Sequence, residues 1–274
     1  MRSPVSSSAC ESLEARCLLD ADFNGDGVED FVYRDTTSGE VTVLLLRPNG
    51  NVLASRPIAT VANQAWQIVD AADYDGDGDG DLLWRNTDTG RLLVWLLDGR
   101  KLVGFRSLPF AKSPWQFAAA AEHADSDDHD LLWRNADDGR LVLWLMDGRQ
   151  ISRTVQLSRE PDPNWKVAGM SEVRGTGPID TEILWRNVAT GENRIWRIEA
   201  SHFRFAVELR PLGRTWRIGG LVDADRSRPG KVIWQNTADG QVVRWTFGEN
   251  YTIDAIHLMA FDPNPDRLLI AGHD

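Results

Sequence analysis

The sequence predicts an all-β protein assembled from repeated four-stranded units, and three observations carry that expectation. All twelve tryptophans fall into three registers of a repeat of about fifty residues. The registers are Trp66, Trp115, Trp165 and Trp216; Trp84, Trp133, Trp185 and Trp234; and Trp95, Trp144, Trp196 and Trp245, with the last two always eleven residues apart. A large aromatic reused at fixed phase is a packing position of one structural unit, so the chain is a repeat array. Second, the apolar runs are short and separated by turn chemistry, and none keeps an i, i+3, i+4, i+7 stripe long enough for a helix. Third, runs such as Leu82-Leu83-Trp84 and Leu141–Met146 are apolar on both faces, and a sheet of such strands must be covered on both sides. Small antiparallel sheets sandwiched between their neighbours describe the blades of a β-propeller. A linear solenoid is the rival architecture.

Residues 1–19 read as a leader-like segment ahead of a single domain, 20–274. Its repeats run about 20–64, 65–113, 114–163, 164–214 and 215–266, followed by a closing strand at 267–274. The second repeat is the most regular. Its first strand starts at Trp66, the second covers Leu82–Arg85, the third Leu92–Leu97, and a weaker outer strand lies near Leu102–Leu108. Asn86–Gly90 is a hairpin loop in which glycine can take a left-handed backbone, and Asp98-Gly99 is the next tight turn. The same signals recur at Asn135–Gly139, Asp147-Gly148 and Asn236–Gly240. In the first repeat, Tyr33 and Leu44 stand where two of the tryptophans stand elsewhere. The last residues, Arg267–Asp274, match the strand that starts at Trp165, with Leu268 in the tryptophan register. This strand is the one missing before Asp22, so the ring can close by lending it to the first blade. Ala15–Ala21 aligns with the same strand, and the sequence leaves the choice open. Five blades are expected; a six-bladed or oligomerically completed ring is the alternative.

A net charge of −11 excludes the basic stripe that phosphate-backbone binding requires, so nucleic acid is not an expected partner. No apolar run approaches the ~20 residues of a membrane span, and the first sixteen residues lack the apolar core of a secretory signal. Cys10 and Cys17, the two cysteines, both precede the repeats, where a bridge would close only a small terminal loop.

The sharpest chemistry lies in two acidic loops at one phase of the repeat. Asp22-Phe-Asn24-Gly-Asp26-Gly27-Val28-Glu-Asp30 recurs as Asp73-Tyr-Asp75-Gly-Asp77-Gly78-Asp79-Gly-Asp81. Oxygens at positions 1, 3 and 5 can converge on one hard cation, the glycine at position 6 permits the sharp turn, and position 7 can offer its backbone carbonyl. Asp30 and Asp81 close the shell at position 9. A donor set made only of oxygen points to Ca²⁺. The bland reading, a solvated acidic turn, leaves each loop's carboxylates repelling one another. The other three copies are decayed. Unit three has Ala124 and Ser126 at carboxylate positions, unit four spans Arg174 to Glu182 with Pro178, and unit five puts Pro229 and Lys231 at positions 7 and 9. His123 and His129 raise a zinc reading of unit three, but a degenerate calcium loop is preferred. The repeated arginines Arg85, Arg134 and Arg186 suggest an anion-binding ring or, more simply, stacking and cross-blade hydrogen bonds. The tryptophans are read as packing rather than as sugar platforms.

The phrases ADFNGDGVEDFVYRD and AADYDGDGDGDLLWRN, with the later WRN cores, resemble the FG-GAP/VCBS-type repeats of bacterial surface and secreted proteins. The likeness covers about residues 20 to 274. It implies a β-propeller holding calcium through Asp22, Asn24, Asp26, Val28 and Asp30, and through Asp73, Asp75, Asp77, Asp79 and Asp81. It also implies adhesion, protein contact or carbohydrate binding. Glu11–Leu19 resembles the short L-E-x-R-x-L-L segment near the start of some exported bacterial surface proteins, which implies an extracellular or cell-surface address.

The sequence contains no G-x-S-x-G, H-E-x-x-H or Walker motif, and no Cys–His pair in catalytic spacing. The expected function is therefore a non-catalytic, calcium-stabilised scaffold that binds a protein or glycan ligand as a monomeric ring. A lectin propeller is the first alternative and a polysaccharide-active enzyme on the same scaffold the second.

Overall fold

A computed structural model describes residues 21–28, 30–48, 51–122, 128–172, 181–200, 202–222, 231–247, 252–261 and 267–271. Cys10, Cys17 and the leader-like segment lie outside these residues, as do most of the decayed loops.

Each repeat folds as an antiparallel meander, because every unit offers four extended runs joined by tight turns. Blade two shows the pattern: β4 (Trp66–Ala72), β5 (Asp81–Asn86), β6 (Leu92–Asp98) and β7 (Lys101–Leu108), paired in that order. Blade three follows with β8 (Trp115–Glu122), β9 (His129–Asn135), β10 (Leu141–Asp147) and β11 (Gln150–Gln156). Blade four is β12 (Trp165–Glu172), β13 (Thr181–Asn187), β14 (Asn193–Glu199) and β15 (His202–Leu209). Blade five is β16 (Trp216–Val222), β17 (Lys231–Asn236), β18 (Gln241–Phe247) and β19 (Ile253–Phe261).

Blade one is built from both ends of the domain. Its sequential strands are β1 (Phe31–Asp35), β2 (Glu40–Leu46) and β3 (Val52–Thr60), and its innermost strand is β20 (Arg267–Ala271), antiparallel to β1. The C-terminal strand therefore closes the ring. Its register corrects one expectation. Asp35 faces Arg267, whereas the equivalent Asn86 and Asn187 face Trp66 and Trp165, so Arg267 rather than Leu268 takes the tryptophan place. The other four inner strands each carry a bulge, as between Ile68 and Asp70, and β20 does not across its paired residues. The match of Ala271 to Ala168 that puts Leu268 in that place does not hold: Ala168 lies in the β12 bulge, whereas Ala271 is paired with Phe31.

The inner strands touch in the cyclic order β20, β4, β8, β12, β16 and back to β20. Five apolar clusters fill the five blade interfaces. The one that seals the ring joins Phe31, Tyr33, Leu44 and Leu46 of blade one to Ile233 and Val242 of blade five. The tryptophans are packing positions, as their phase predicts. Trp84, Trp133, Trp185 and Trp234 are fully buried. Each stacks on its blade partner, with ring centroids 4.7 Å apart for Trp84–Trp95 and 4.9 Å for Trp185–Trp196.

The repeated arginines bind the blades to one another. Arg134 donates to the carbonyls of Glu160 (2.8 Å) and Asp162 (3.0 Å) in the connector to blade four and of Trp165 (2.6 Å) at the start of β12, and its guanidinium lies 5.5 Å from the Trp185 ring. Arg34 does the same toward Val61 and Trp84, and Arg186 toward Gly213 and Trp234. These are fixed cross-blade clamps in which the cation faces an aromatic ring, not an open anion site. The hairpin asparagines accept bonds from their own loop, as Asn187 does from the N–H of Ala189 and Thr190. Gly191 then sits at φ +82°, with a notional Cβ only 2.2 Å from the Leu212 carbonyl oxygen. Both backbone conformation and space therefore demand glycine there.

Candidate metal centre

The two acidic loops fold into one frame. Asp22 accepts the Gly27 N–H (2.6 Å), as Asp73 accepts that of Gly78 (2.8 Å). Asp26 accepts from Val28 and Asp77 from Asp79, both at 2.9 Å. These short side-chain-to-backbone bonds wind the loop, and the glycines supply the left-handed residues: Gly25 and Gly27 at φ +68° and +76°, Gly76 and Gly78 at +80° and +91°.

In the second loop, ligand oxygens of Asp73, Asp75 and Asp81 lie within 4.8 Å of one another. Two oxygens on one calcium ion at about 2.4 Å each are separated by at most about 4.8 Å. The donor set is all oxygen and rich in charge, so it fits calcium in both spacing and chemistry. Asp77 is placed at position 5 with one oxygen on the Asp79 amide. The Asp79 carboxylate is committed to the Gly99 N–H at 3.0 Å. An ion in the loop would meet position 7 through its backbone carbonyl, that of Asp79 here and of Val28 in the first loop. In the first loop Asp22, Asp26 and Asp30 hold sequence positions 1, 5 and 9 and Asn24 position 3, but among the described residues the close carboxylate group is Asp73, Asp75 and Asp81, without Asp77 or the acids of the first loop.

Position 9 has a second role that sequence reading missed. Asp81 accepts the N–H of Tyr74 (3.1 Å) and of Leu97 (2.8 Å), and Asp30 accepts those of Phe23 (3.1 Å) and Leu46 (2.8 Å). Leu46 and Leu97 each lie at a bulge in their blade's outer pairing, where an amide leaves the ladder. The carboxylate at position 9 caps that amide, so the loop is welded to the third strand of its own blade. Asp130 does the same for Met146 at 2.8 Å, although its loop has lost two expected ligands. Burial pushes the Asp30 carboxyl up to about 6 and Asp81 up to about 7, with the capped amides pulling each back down. A cation in the loop would hold these groups ionised.

Beside the second loop is a polar cluster in an otherwise apolar wall. Asp70, wholly buried on β4, accepts the Tyr74 hydroxyl, and the Tyr74 ring packs 4.5 Å from the ring of His129 in blade three. Blades three, four and five place Ala119, Gly169 and Gly220 at the register of Asp70, and blade one places Ile270 there. Burial pushes His129 down to about 4, so its imidazole is neutral. It packs as an aromatic plate and does not join the Asp73, Asp75 and Asp81 group, which leaves zinc without support among the described residues. His123 lies outside them.

Burial also pushes Asp70 up to about 7, with the Tyr74 hydroxyl opposing. Its folded value thus stands above its unfolded one near 3.8. Its contribution to stability is full below about pH 4 and is lost as the pH rises to about 7, above which the buried charge is complete. Asp70→Asn keeps an acceptor for Tyr74 and removes the charge. The variant is expected to melt several degrees above the parent at pH 8 and to match it near pH 4.5, as parallel melts across that range will show.

Residues 22–84 match the FG-GAP-like repeat family, a stretch that runs from the first acidic loop through the second and into β5. The fold and this match define a five-bladed β-propeller that carries an FG-GAP-like repeat. No curated protein sequence matches the chain. Among solved structures it is similar to a luciferin-regenerating enzyme, with 11% identity, a TM-score of 0.46, and coverage of 81% of this chain and 72% of that one. It is also similar to the Dos1 propeller (10%, TM-score 0.40, 84% and 57%) and to a post-proline cleaving enzyme from Rickettsia typhi (10%, 0.37, 83% and 33%). Among the described residues no helix is long and apolar enough to cross a membrane.

Proposed function

We propose that the chain is a non-catalytic, calcium-stabilised propeller scaffold that presents its rim to a protein or glycan ligand at a bacterial cell surface. The observation that carries the metal half is the convergence of Asp73, Asp75 and Asp81 in a loop that recurs at the same phase one blade earlier. Because position 9 caps the third strand, an ion drawn into the loop tightens the whole blade edge. The ion's role is structural: it neutralises carboxylates that otherwise repel, and binding to the folded state alone raises stability.

The test is a thermal melt after EDTA treatment with calcium added back, run beside the Asp26→Ala/Asp77→Ala double variant. Free calcium at a hundred times its dissociation constant adds about 2.7 kcal/mol per site, and each kcal/mol is worth roughly 2–4 °C in a domain of this size. The parent should therefore gain on the order of 10 °C and the variant little. An unchanged melting temperature at millimolar calcium would remove the metal from the reading. The ligand half is tested on glycan and matrix-protein arrays with calcium or EDTA, where calcium-dependent retention is expected.

A further inference from the structure

The outer strand of blade two brings a cation to the second acidic loop. Arg106 on β7 donates through Nη1 to the Tyr74 carbonyl, and its Nη2 lies 4.0 Å from the Asp75 carboxylate. Both side chains are about three-quarters covered (26% and 21% exposed). The two charges are therefore partly shielded from water, and the hydrogen bond to the Tyr74 carbonyl fixes where the guanidinium sits. Its nature is clearest across the repeat. Arg106 faces Val94, and the same register in the other blades pairs Val43 with Arg56, Leu143 with Val155, Ile195 with Val207 and Arg244 with His257. Arginine thus occupies this place in the two blades whose loops keep their acidic pattern, and valine or histidine in the three whose loops have decayed. Arg56 is exposed and donates back to Ser55 of its own strand (3.0 Å).

We propose that Arg106 is the resident counter-cation of the second loop: it stands in for calcium when the loop is empty and lowers the loop's calcium affinity. This rests on the calcium reading above. The physical basis is a shared set of carboxylates. With the loop empty, the guanidinium offsets part of the repulsion among Asp73, Asp75 and Asp77 and pins the loop through the Tyr74 carbonyl. With calcium present the same charge opposes the ion. A group that favours the empty state over the loaded one must weaken binding by the same factor. A unit charge about 6 Å from a divalent ion, at the dielectric of water, is worth roughly a factor of ten, which salt reduces.

The experiment uses calcium titration calorimetry in the Asp26→Ala background, where the second loop is read alone. Arg106→Gln should bind calcium about three- to tenfold more tightly, with the difference shrinking as salt is raised. It should also melt at a lower temperature in EDTA. Arg56→Gln, which makes the same change in net charge at the equivalent register, should leave the affinity within about twofold, since distant exposed charges are screened. Unchanged or weaker binding in Arg106→Gln, with the parent binding normally, would overturn the inference and make Arg106 a plain strut. No calcium uptake by the Asp26→Ala parent would overturn the metal reading of this loop, and the inference with it.

Discussion

A chain ending at Asp266 is expected to lose its cooperative thermal transition and leave solution or elute as an expanded species. The deletion removes β20, the strand that pairs with β1 from Asp35 to Phe31. It also opens the inner wall, since β20 is the strand that touches both β16 and β4. The damage is not confined to one edge. β1 would present an unpaired row of backbone donors and acceptors beside a buried apolar run, which is a template for aggregation. The cluster that joins blades one and five would open to water at Phe31, Tyr33 and Ile233. Adding a peptide of residues 267–274 should restore the transition in part, by strand addition to the vacant edge. A truncated protein that melts cooperatively at the parental temperature would show that the ring does not depend on this closure.

The second large effect is expected at Trp185. Its side chain is fully buried in the blade three–four interface, among Ala118, Leu132, Val167 and Ile198. The Trp196 ring lies 4.9 Å away and the Arg134 guanidinium 5.5 Å. Trp185→Ala leaves a cavity that a ring of packed blades cannot collapse, so a loss of about 3–5 kcal/mol is expected. That corresponds to a fall of roughly 6–20 °C in melting temperature for a domain of this size. Trp185→Phe should cost distinctly less, because it keeps most of the packed area. The measurement is a pair of melts at fixed calcium; equal temperatures for parent and alanine variant would contradict the packing role.

Much of this architecture was legible because a repeat multiplies weak signals. One tryptophan in a strand says little, but three registers of four fix the blade length, and the turns between them fix the strands. The acidic loops were legible for the same reason, since Asp22–Asp30 and Asp73–Asp81 share one pattern at one phase. What escaped the sequence depends on bonds across strands. The capping of Leu46, Leu97 and Met146 by Asp30, Asp81 and Asp130 joins residues sixteen apart through a bulge that has no sequence signature. Leu268 falls one residue off the tryptophan place because the likeness of Ala271 to Ala168 is not a structural equivalence: the first is paired and the second sits in a bulge. Asp70 did leave a trace: it is an acid inside the apolar run Ile68-Val-Asp-Ala-Ala72, where the other blades have alanine, glycine or, in blade one, isoleucine. Its partners Tyr74 and His129 come from a loop and a neighbouring blade, so the run alone gave no role for it. Arg106 and Arg56 look equivalent in sequence and differ in where the side chain turns.

The most direct test of the account is a count of calcium ions bound per chain, by calorimetric titration of EDTA-treated protein. Two ions are predicted for the parent, one for Asp26→Ala or Asp77→Ala alone, and none for the double variant. A parent that binds no calcium, or a double variant that binds as many ions as the parent, would contradict it.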